Sequence, residues 1–322
     1  MSSTIAIIIT LLVMAKSRTS AYTVFFSTIN QTGFSFPYVC LIGISPTLFS
    51  FSGFDAAGQL SEETRDASRK APLAIIGTCA CAAVIGFAYL LSLMFAAGDP
   101  LDLIKKPLNP SVTVQIYQIS TPSSVALLFT ILLIICLYFA GVSATTVSSR
   151  IGYAMARDNL FPYSKYLSIV YQRTHTPLPC VFLVCVINIL LLLLQLVSTT
   201  AFAAIISISN IGFQFSYMLP ILFRITSSRR TFPKGHFNLG KFSFISGLLS
   251  TMWLFVTCLI LAFPYNYPIT AENFNWTIVV CSVVCLLAGI YWIFVAGKQF
   301  AGPHRLTFVE TPPSPNIIAT RF

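Results

Sequence analysis

Long apolar runs that alternate with short polar segments dominate this sequence. One run covers residues 34–60, and six others follow at about 73–96, 123–147, 178–198, 201–223, 243–264 and 276–296. Each of the seven is long enough to be a membrane span, because about 20 apolar residues suffice for a helix to cross a bilayer. A shorter run at 4–15 is predicted to be a partial span, the end of a helix whose beginning is missing. The pattern predicts an all-α, polytopic membrane helix bundle that forms one domain over residues 1–322.

The composition supports the membrane assignment and excludes several function classes. Charged residues make up only 9% of the chain and hydrophobic residues 56%, whereas soluble domains carry about 25% charged residues. The net charge of +10 resides in short loops with few aromatic neighbours, so a lipid bilayer is predicted as partner and nucleic acid is not. The nine cysteines lie in apolar runs and the three histidines in loops or the tail, so we predict no metal or other cofactor.

The distribution of Lys and Arg predicts the orientation in the membrane. If the loop 61–72 is cytoplasmic and the spans alternate, fifteen of the nineteen basic residues face the cytoplasm. The tail 303–322 is then cytoplasmic as well. The sequon Asn30-Gln31-Thr32 falls outside, which makes Asn30 a glycosylation candidate. Asn275 also begins a sequon on that side, but it lies at the membrane edge and is predicted to be unused. No feature of the sequence predicts an oligomer.

The run 34–60 differs from the others because small polar residues, a glycine and an acid interrupt it at Phe49–Asp55. Asp55 is the only carboxylate inside any long apolar run, and a charge at that depth costs about 2.5–3.5 kcal/mol on insertion scales. Gly53 allows the helix to open, and broken helices near the middle of the membrane are where transporters hold their substrates. The alternative is structural: Gly53 allows close helix packing and Asp55 has no functional role.

Two connections are longer than the rest. The outer one, about 97–122, contains four prolines and could lie across the extracellular mouth as a partial lid. The inner one, about 148–177, has apolar residues at helical spacing and is predicted to include an amphipathic helix. A plain solvated loop is the alternative for both. Pro72 is predicted to start the span that follows the loop 61–72.

Three motifs resemble those of the amino acid–polyamine–organocation (APC) transporter superfamily. The first is Ser52–Asp55 followed by Glu62–Pro72, similar to the superfamily's aromatic-Gly-aromatic-acid stretch and EET loop. The second, Ser149–Pro162, is similar to the exit of family helix eight. Asn159 stands there where the family often has glycine, and asparagine also tolerates left-handed backbone. The third, Phe237–Phe242, is similar to a segment of the fungal GABA, choline and related amino acid permeases.

The resemblance implies a LeuT-type fold of two inverted five-helix repeats, present here without its first four to five helices. The seven complete runs then correspond to family helices six to twelve, and the partial run to the end of helix five. The family's substrate site lies between broken helices one and six. The resemblance implies that the backbone of Phe51, Ser52 and Gly53 contacts substrate and that Phe54 is an aromatic gate. Asp55 could stabilise an ammonium group, pair across the bundle or take up a coupling proton.

Two further helices offer polar side chains that the resemblance places near the site. Family helix eight corresponds to the run containing Ser143, Thr145, Thr146 and Ser148, and family helix ten to the run containing Ser207, Ser209 and Asn210. Of these we assign Ser143, Thr146 and Asn210 to the substrate site. The alternative is that such hydroxyls bond to their own helix backbone. Gln195 and Gln214 are predicted to join helices.

The resulting hypothesis is a secondary active transporter of amino acids or related amines, present as an N-terminally truncated chain and driven by H⁺ or Na⁺. The alternative is a non-transporting membrane fragment that associates with other helices or has a regulatory role. An enzyme is not predicted, because no second acid and no histidine lies within a run. No filter-like or charged-ring stretch supports an ion channel.

Overall fold

A computed structural model describes residues 2–61, 64–99, 103, 111–171, 173, 176–227, 237–265, 267–270 and 274–300. The predicted cytoplasmic tail 303–322, the acids Glu62 and Glu63 and three of the four prolines in the connection 97–122 lie outside these residues. The regular secondary structure of the described part is helical, apart from one isolated bridge between Tyr171 and Thr176. Its helices are α1 Ser2–Met14, α2 Ala21–Phe26, α3 Phe36–Ile42, α4 Ser45–Ser50, α5 Ala56–Gln59, α6 Ala67–Ala96, α7 Val112–Ser120, α8 Ser123–Arg157, α9 Ser164–Leu167, α10 Leu178–Val197, α11 Thr199–Thr226, α12 Phe242–Ala262, α13 Thr277–Tyr291 and, after a π turn at Trp292–Ala296, α14 Gly297–Gln299.

Six helical segments of the described chain are long and apolar enough to cross a membrane. They are α6, α8, α10, Ala201–Thr226 within α11, α12, and the continuous segment Thr277–Gln299. Helices dominate because a bilayer interior offers no water to satisfy backbone N–H and C=O groups. The chain is therefore a polytopic helical membrane bundle.

The run 34–60 consists of three short helices, α3, α4 and α5. Pro37 lies in the first turn of α3 and Pro46 in the first turn of α4. A proline has no N–H to donate to the preceding turn, so Pro46 favours the end of α3 at Ile42 and a new start at Ser45. The second interruption, between α4 and α5, is the turn at 51–55.

Two helices extend beyond their apolar runs. Helix α6 begins at Ala67 because the Asp66 carbonyl already accepts the N–H groups of Arg69 and Lys70. The prediction that Pro72 starts this helix is therefore wrong, since Pro72 lies inside it. Helix α8 has 35 residues and so extends about 52 Å, well beyond the roughly 30 Å hydrocarbon core. Much of the predicted amphipathic helix is thus the end of α8, and the short helix α9 follows it.

The backbone turns sharply after α8 at Asn159, which has a φ of 57°. This left-handed conformation is unfavourable for most side chains, and asparagine is one of the few that adopt it readily. The asparagine that stands where the family often has glycine therefore adopts a backbone conformation that glycine also adopts readily.

The bundle has two packing centres. Around the first, α1, α6, α7 and α8 bury a cluster that includes Leu11, Tyr117 and Phe129. Around the second, α11 packs on α12 and α13, and Ile211, Cys258 and Leu261 form a small cluster contacted by Leu48 of α4. Helix α5 lies against α6 and α8 of the first centre, and α10 lies between α8 and α11, so α10 connects the two centres.

Most of the apolar surface of the long helices is exposed. At most 22% of the most apolar 18 residues of any membrane-spanning candidate is buried within the protein. A soluble protein could not expose apolar surface on this scale without aggregating. The exposed side chains are those that lipid tails or further helices cover in a membrane.

Candidate functional site

The interruption between α4 and α5 is a five-residue turn, 51–55, placed along the side of the bundle. Phe51, Ser52 and Gly53 are exposed on its outer side, whereas Phe54 and Asp55 are half-buried. Gly53 has a φ of 89°, and a Cβ atom built there would meet no heavy atom within 4 Å. The glycine is required by the backbone conformation and not by lack of space.

The turn leaves several backbone groups unbonded. Within the described residues, the N–H groups of Gly53, Phe54 and Asp55 and the C=O groups of Phe51 and Ser52 make no backbone hydrogen bond. Helix structure resumes with the Ala56 N–H donating to the Gly53 carbonyl at 3.3 Å. Unbonded donors and acceptors side by side can bind the carboxylate and the ammonium group of one small zwitterion.

The inner side of the turn packs on α11 through aromatic rings. The Phe54 ring lies 6.2 Å from Phe213 edge-on and 6.0 Å from Tyr217, and these two rings are 4.9 Å apart. Phe213 and Tyr217 are one helical turn apart on the same side of α11, which explains how both contact one ring. We call Phe54, Phe213 and Tyr217 the aromatic cluster.

Tyr217 also interacts with the acid of the turn. Its hydroxyl group lies near the Asp55 carboxyl group and the Gln59 side chain of α5, close enough for a polar interaction with each. Asp55 thus has a polar neighbour from another helix, the Tyr217 hydroxyl group of α11. Asp55 is conspicuous in the sequence as an acid in an apolar run, whereas Phe213, Tyr217 and Gln59 were not predicted as site residues. The only sequence signal was the presence of aromatic residues with i, i+4 spacing in an apolar run, which is common in membrane helices.

A cleft of about 770 Å³ lies beside α5 on the side toward α8 and α10. Gly58 and Gln59 line one wall, and Thr145, Thr146 and Ser149 of α8 line the other. Gln59 therefore borders the cleft and also contacts Tyr217, so it connects the turn with this space. Of the two α8 residues assigned to the site, Thr146 lines the cleft, whereas Ser143 is exposed and does not.

The hydroxyl groups along this wall donate to carbonyls of their own helix. Thr145 donates to Gly141 at 2.9 Å, Thr146 to Val142 at 2.8 Å and Ser149 to Thr146 at 2.9 Å. This is the structural alternative named for these residues above. Their oxygen atoms still have acceptor capacity toward the cleft, because a hydroxyl that donates one hydrogen bond keeps free lone pairs.

Asn210, the assigned residue of α11, is buried with 7% of its surface exposed. Its Nδ2 group has no hydrogen-bond partner among the described residues. One turn later Gln214 accepts a hydrogen bond from the Thr257 hydroxyl of α12, as expected of a residue that joins helices. Ser209 donates to its own helix. Gln195 is exposed on α10, so the structure gives no support to the prediction that it joins helices.

The described residues contain no group of three or more His, Cys, Asp or Glu side chains that could hold a metal ion. The site is instead built from backbone groups, one carboxyl group, hydroxyl and amide groups, and aromatic rings. Such a set can bind a small polar or zwitterionic molecule by hydrogen bonds and charge, and it provides no strong nucleophile paired with a base.

The two sequons differ in their surroundings. Asn30 is exposed, its amide donates to Phe34 O at 2.7 Å, and its oxygen accepts from the Thr32 backbone and hydroxyl. The Asn275 amide instead donates to the carbonyls of Leu261 and Phe263 at the end of α12. Asn275 thus caps a helix, whereas Asn30 only closes a local turn.

Comparison with known proteins gives one consistent family. The sequence profile of the amino acid permease family matches residues 2–296. The chain is 30% identical to Amino-acid permease BAT1 of Arabidopsis thaliana over 286 residues, which cover 86% of this chain and 55% of that protein. It is 33% identical to an uncharacterized amino-acid permease of Schizosaccharomyces pombe over 309 residues, covering 94% of this chain and 56% of the relative.

The GABA-specific permease of Saccharomyces cerevisiae is 30% identical over 266 residues, which cover 82% of this chain and 47% of that permease. The chain therefore spans about half the length of the relatives it matches. No solved structure matches the chain.

Proposed function

Because the chain belongs to the amino acid permease family, and thus to the APC superfamily that its motifs resemble, we propose that it acts in the secondary active transport of amino acids or related amines. In this proposal the chain corresponds to the C-terminal part of a LeuT-type transporter, family helices six to twelve. The proposal is supported by its match to about half the length of full permeases. The coupling ion is H⁺ or Na⁺, and the tail 303–322 is cytoplasmic.

The observation that carries the proposal is the turn 51–55, with unbonded backbone groups beside the Asp55 carboxyl group. In the proposed mechanism, Asp55 attracts the substrate ammonium group. The unbonded N–H groups at Gly53, Phe54 and Asp55 receive the carboxylate, and the carbonyls of Phe51 and Ser52 add contacts to the ammonium. A charge buried in a membrane is costly, so a substrate cation that neutralises Asp55 stabilises the loaded state.

The other residues that we assign to the substrate site are supported by different observations. Phe54 is proposed as a gate because its ring packs between the turn and α11, where a rotation opens or closes access to the turn. Thr146 is proposed to line the route beyond the turn, supported by its place in the cleft with Gln59. Asn210 is supported by its unpartnered amide N–H. Ser143, exposed and outside the cleft wall, has the least support of the set.

The experiment that tests the proposal measures uptake of labelled amino acids and amines. The chain is expressed alone and together with the first-half helices of a full-length relative, in cells that lack such permeases. We expect uptake from the pair, and we expect Asp55→Asn to reduce it by about tenfold or more, because a hydrogen bond to a charged group is worth about 1.5–3 kcal/mol. Asp66→Asn is the matched control, since Asp66 is an exposed carboxylate outside the spans and its ion pair with Lys70 is on the surface.

A second candidate function is that of a non-transporting membrane polypeptide that associates with other helices. The observation that favours it is the half-length match together with the large exposed apolar surface. An antibody against residues 303–322, applied to native membranes, distinguishes the two. A band clearly above 35.3 kDa supports the transporter. A band at that mass, with no uptake from the chain alone or paired, supports the associating polypeptide.

A further inference from the structure

The connection between α8 and α10, residues 158–177, exposes an unusual number of large apolar side chains. Tyr163 is 79% exposed, Tyr166 68%, Ile169 55% and Tyr171 49%. Loops that face water are normally built from small and polar residues. Four large exposed residues within nine positions indicate that this surface is covered by something other than water.

The exposed residues are held in place by an ordered backbone. Ser164 both accepts from the Phe161 N–H at 3.2 Å and donates to the Phe161 carbonyl at 2.7 Å. The Cys180 thiol of α10 donates to the Leu167 carbonyl at 3.2 Å, and Tyr171 pairs with Thr176 across the isolated bridge. The connection is therefore fixed to α9 and α10, and its aromatic side chains point outward from a defined surface.

Two cations accompany these side chains. Lys165 and Arg173 are exposed, and neither of their side chains makes an ion pair or a hydrogen bond with another described residue. By contrast, Arg157 at the end of α8 lies 3.8 Å from Asp158. In the predicted orientation, the connection lies on the side of the membrane with the excess of basic residues, where α8 and α10 would leave the bilayer.

A second cleft, of about 620 Å³, lies between this connection and the start of α10. It is lined mainly by apolar side chains, Ile169, Val170, Leu178 and Pro179, together with Tyr171 and Arg173. A mainly apolar groove that also contains one guanidinium group, at a predicted membrane surface, matches a molecule with an anionic head and a hydrocarbon tail.

We propose that the connection lies in the membrane interface and that this second cleft binds an anionic phospholipid of the adjacent leaflet. The phosphate group contacts Arg173, with Lys165 adding attraction. The glycerol and the start of an acyl chain lie against Ile169, Val170 and Leu178. The tyrosine rings occupy the headgroup layer, where their apolar faces and polar hydroxyls are both satisfied. This site is separate from the turn 51–55, and it does not depend on the transport proposal.

The test titrates the purified chain in detergent with short-chain phosphatidylserine and follows the temperature of unfolding. Parallel titrations use short-chain phosphatidylcholine and inorganic phosphate. We expect a saturable rise with phosphatidylserine, a weaker response to phosphatidylcholine and none to phosphate, because the site requires both the head and the tail. Equal responses to the two lipids, or a response to phosphate alone, would overturn the proposal.

Variants then locate the effect. Arg173→Gln is expected to weaken the phosphatidylserine response about fivefold, since one cation near an anionic surface contributes about 1 kcal/mol. Arg173→Lys is expected to retain most of it. Lys241→Gln, which removes an exposed cation on the same membrane side but outside the cleft, is the matched control. If Lys241→Gln weakens the response as much as Arg173→Gln, the attraction is diffuse and the site is wrong.

Photocrosslinking is an independent test that uses only the wild-type chain, so its result does not depend on whether a variant folds. A phosphatidylserine with a photoreactive group near the glycerol is irradiated with the wild-type chain, and the labelled peptides are identified. We expect label on residues 165–179. Label concentrated on other segments would contradict the assignment.

Discussion

At the scale of single residues, the candidate site depends on three consecutive residues, Gly53, Phe54 and Asp55, each of which has a different role. Gly53 adopts a positive φ in open space, so its contribution is conformational. Asp55 carries a carboxyl group into a mainly apolar stretch and interacts with the Tyr217 hydroxyl of α11. Phe54, which lies between Gly53 and Asp55 in the sequence, packs its ring on α11 as well. Three consecutive residues therefore combine a backbone turn, an aromatic contact and a charge.

Gly53→Ala is expected to destabilise the turn by about 1–2 kcal/mol, because a Cβ atom is unfavourable in the left-handed region. Uptake should fall while membrane insertion is retained, since no contact is lost. The measurements are thermal unfolding in detergent and uptake by the paired chain.

Gly86→Ala is the control, because Gly86 lies inside α6 and an added Cβ atom there also meets nothing within 4 Å. It should leave uptake unchanged and stabilise the helix by up to about 1 kcal/mol. Equal effects of the two variants would show that the conformation at Gly53 is not special.

Tyr217→Phe keeps the ring that packs on Phe54 and removes only the hydroxyl that faces Asp55. If Tyr217 positions the carboxyl group, the apparent KM for an amine substrate should rise about three- to tenfold, the change expected when a polar interaction worth about 1 kcal/mol is removed. The temperature of unfolding should remain close to that of wild type, because the aromatic packing persists.

Tyr22→Phe provides the comparison, since Tyr22 is 73% exposed and distant in sequence from the turn. A purely structural role for Tyr217 would lower the unfolding temperature and the amount of protein in the membrane without raising KM. That outcome would contradict the positioning role.

At the scale of elements, the bundle is held by close helix contacts and a few polar links. Helix α11 approaches α12 so closely that a Cβ atom at Gly247 would lie 2.8 Å from an Ile225 methyl group. Small residues at such crossings allow van der Waals packing between helices, which drives association where lipid removes the hydrophobic effect. The Gln214–Thr257 hydrogen bond links the same pair of helices. Because α11 also carries Phe213 and Tyr217, the α11–α12 contact fixes one side of the candidate site.

Thr257→Val removes the hydroxyl that donates to Gln214 while keeping the branched shape. Both residues are buried, so the amide loses its partner, and we expect a loss of about 1 kcal/mol in the free energy of unfolding. Unfolding in a denaturant titration of the purified chain measures it.

Thr251→Val, on the same helix, is the matched control, since the Thr251 hydroxyl donates to its own backbone at Gly247. It should cost only a few tenths of a kcal/mol at most, a small fraction of the roughly 1 kcal/mol expected for a buried link. A double variant with Gln214→Leu should recover part of the loss. A Thr257→Val effect no larger than the Thr251→Val effect would mean that the link contributes nothing.

At the scale of the whole molecule, the chain is a membrane bundle whose long helices bury little of their apolar surface in one another. The two packing centres are joined by α10, and residues 51–53 of the turn remain exposed. In the proposed LeuT-type arrangement, the helices corresponding to the first half of the relatives contribute to the exposed side of the turn. The excess of basic residues on one side gives the bundle its predicted orientation.

The predicted orientation places Asn30 outside, so the chain expressed in a eukaryotic secretory pathway should carry one glycan there. Asn30→Gln should abolish the glycosidase-sensitive mobility shift on a gel. Asn275→Gln should leave the shift unchanged, because the Asn275 amide is engaged with the carbonyls at the end of α12. A shift that survives Asn30→Gln, or no shift in the wild-type chain, would contradict this orientation or this site.

The sequence by itself determined that this protein is helical, embedded in a membrane and related to amino acid permeases. Backbone groups must be satisfied internally in lipid, so apolar runs of sufficient length leave little choice but helices. It also identified Gly53 and Asp55, because a glycine and an acid are conspicuous in an apolar run.

Only the tertiary structure decided which side chains surround Asp55 and where the helices end. Tyr217 and Phe213 lie more than 150 positions away along the chain, and only the packing of α11 brings them to the turn. An apolar run indicates the thickness of the bilayer and not the length of the helix. The sequence predicted a helix after position 148, but not that it continues α8 without a break to Arg157, nor that α6 begins before Pro72. The sequence also did not show that Ser143 lies outside the cleft that Thr146 lines. Which side chains of a helix face a cleft depends on the positions of the neighbouring helices, and the linear sequence pattern does not contain those positions.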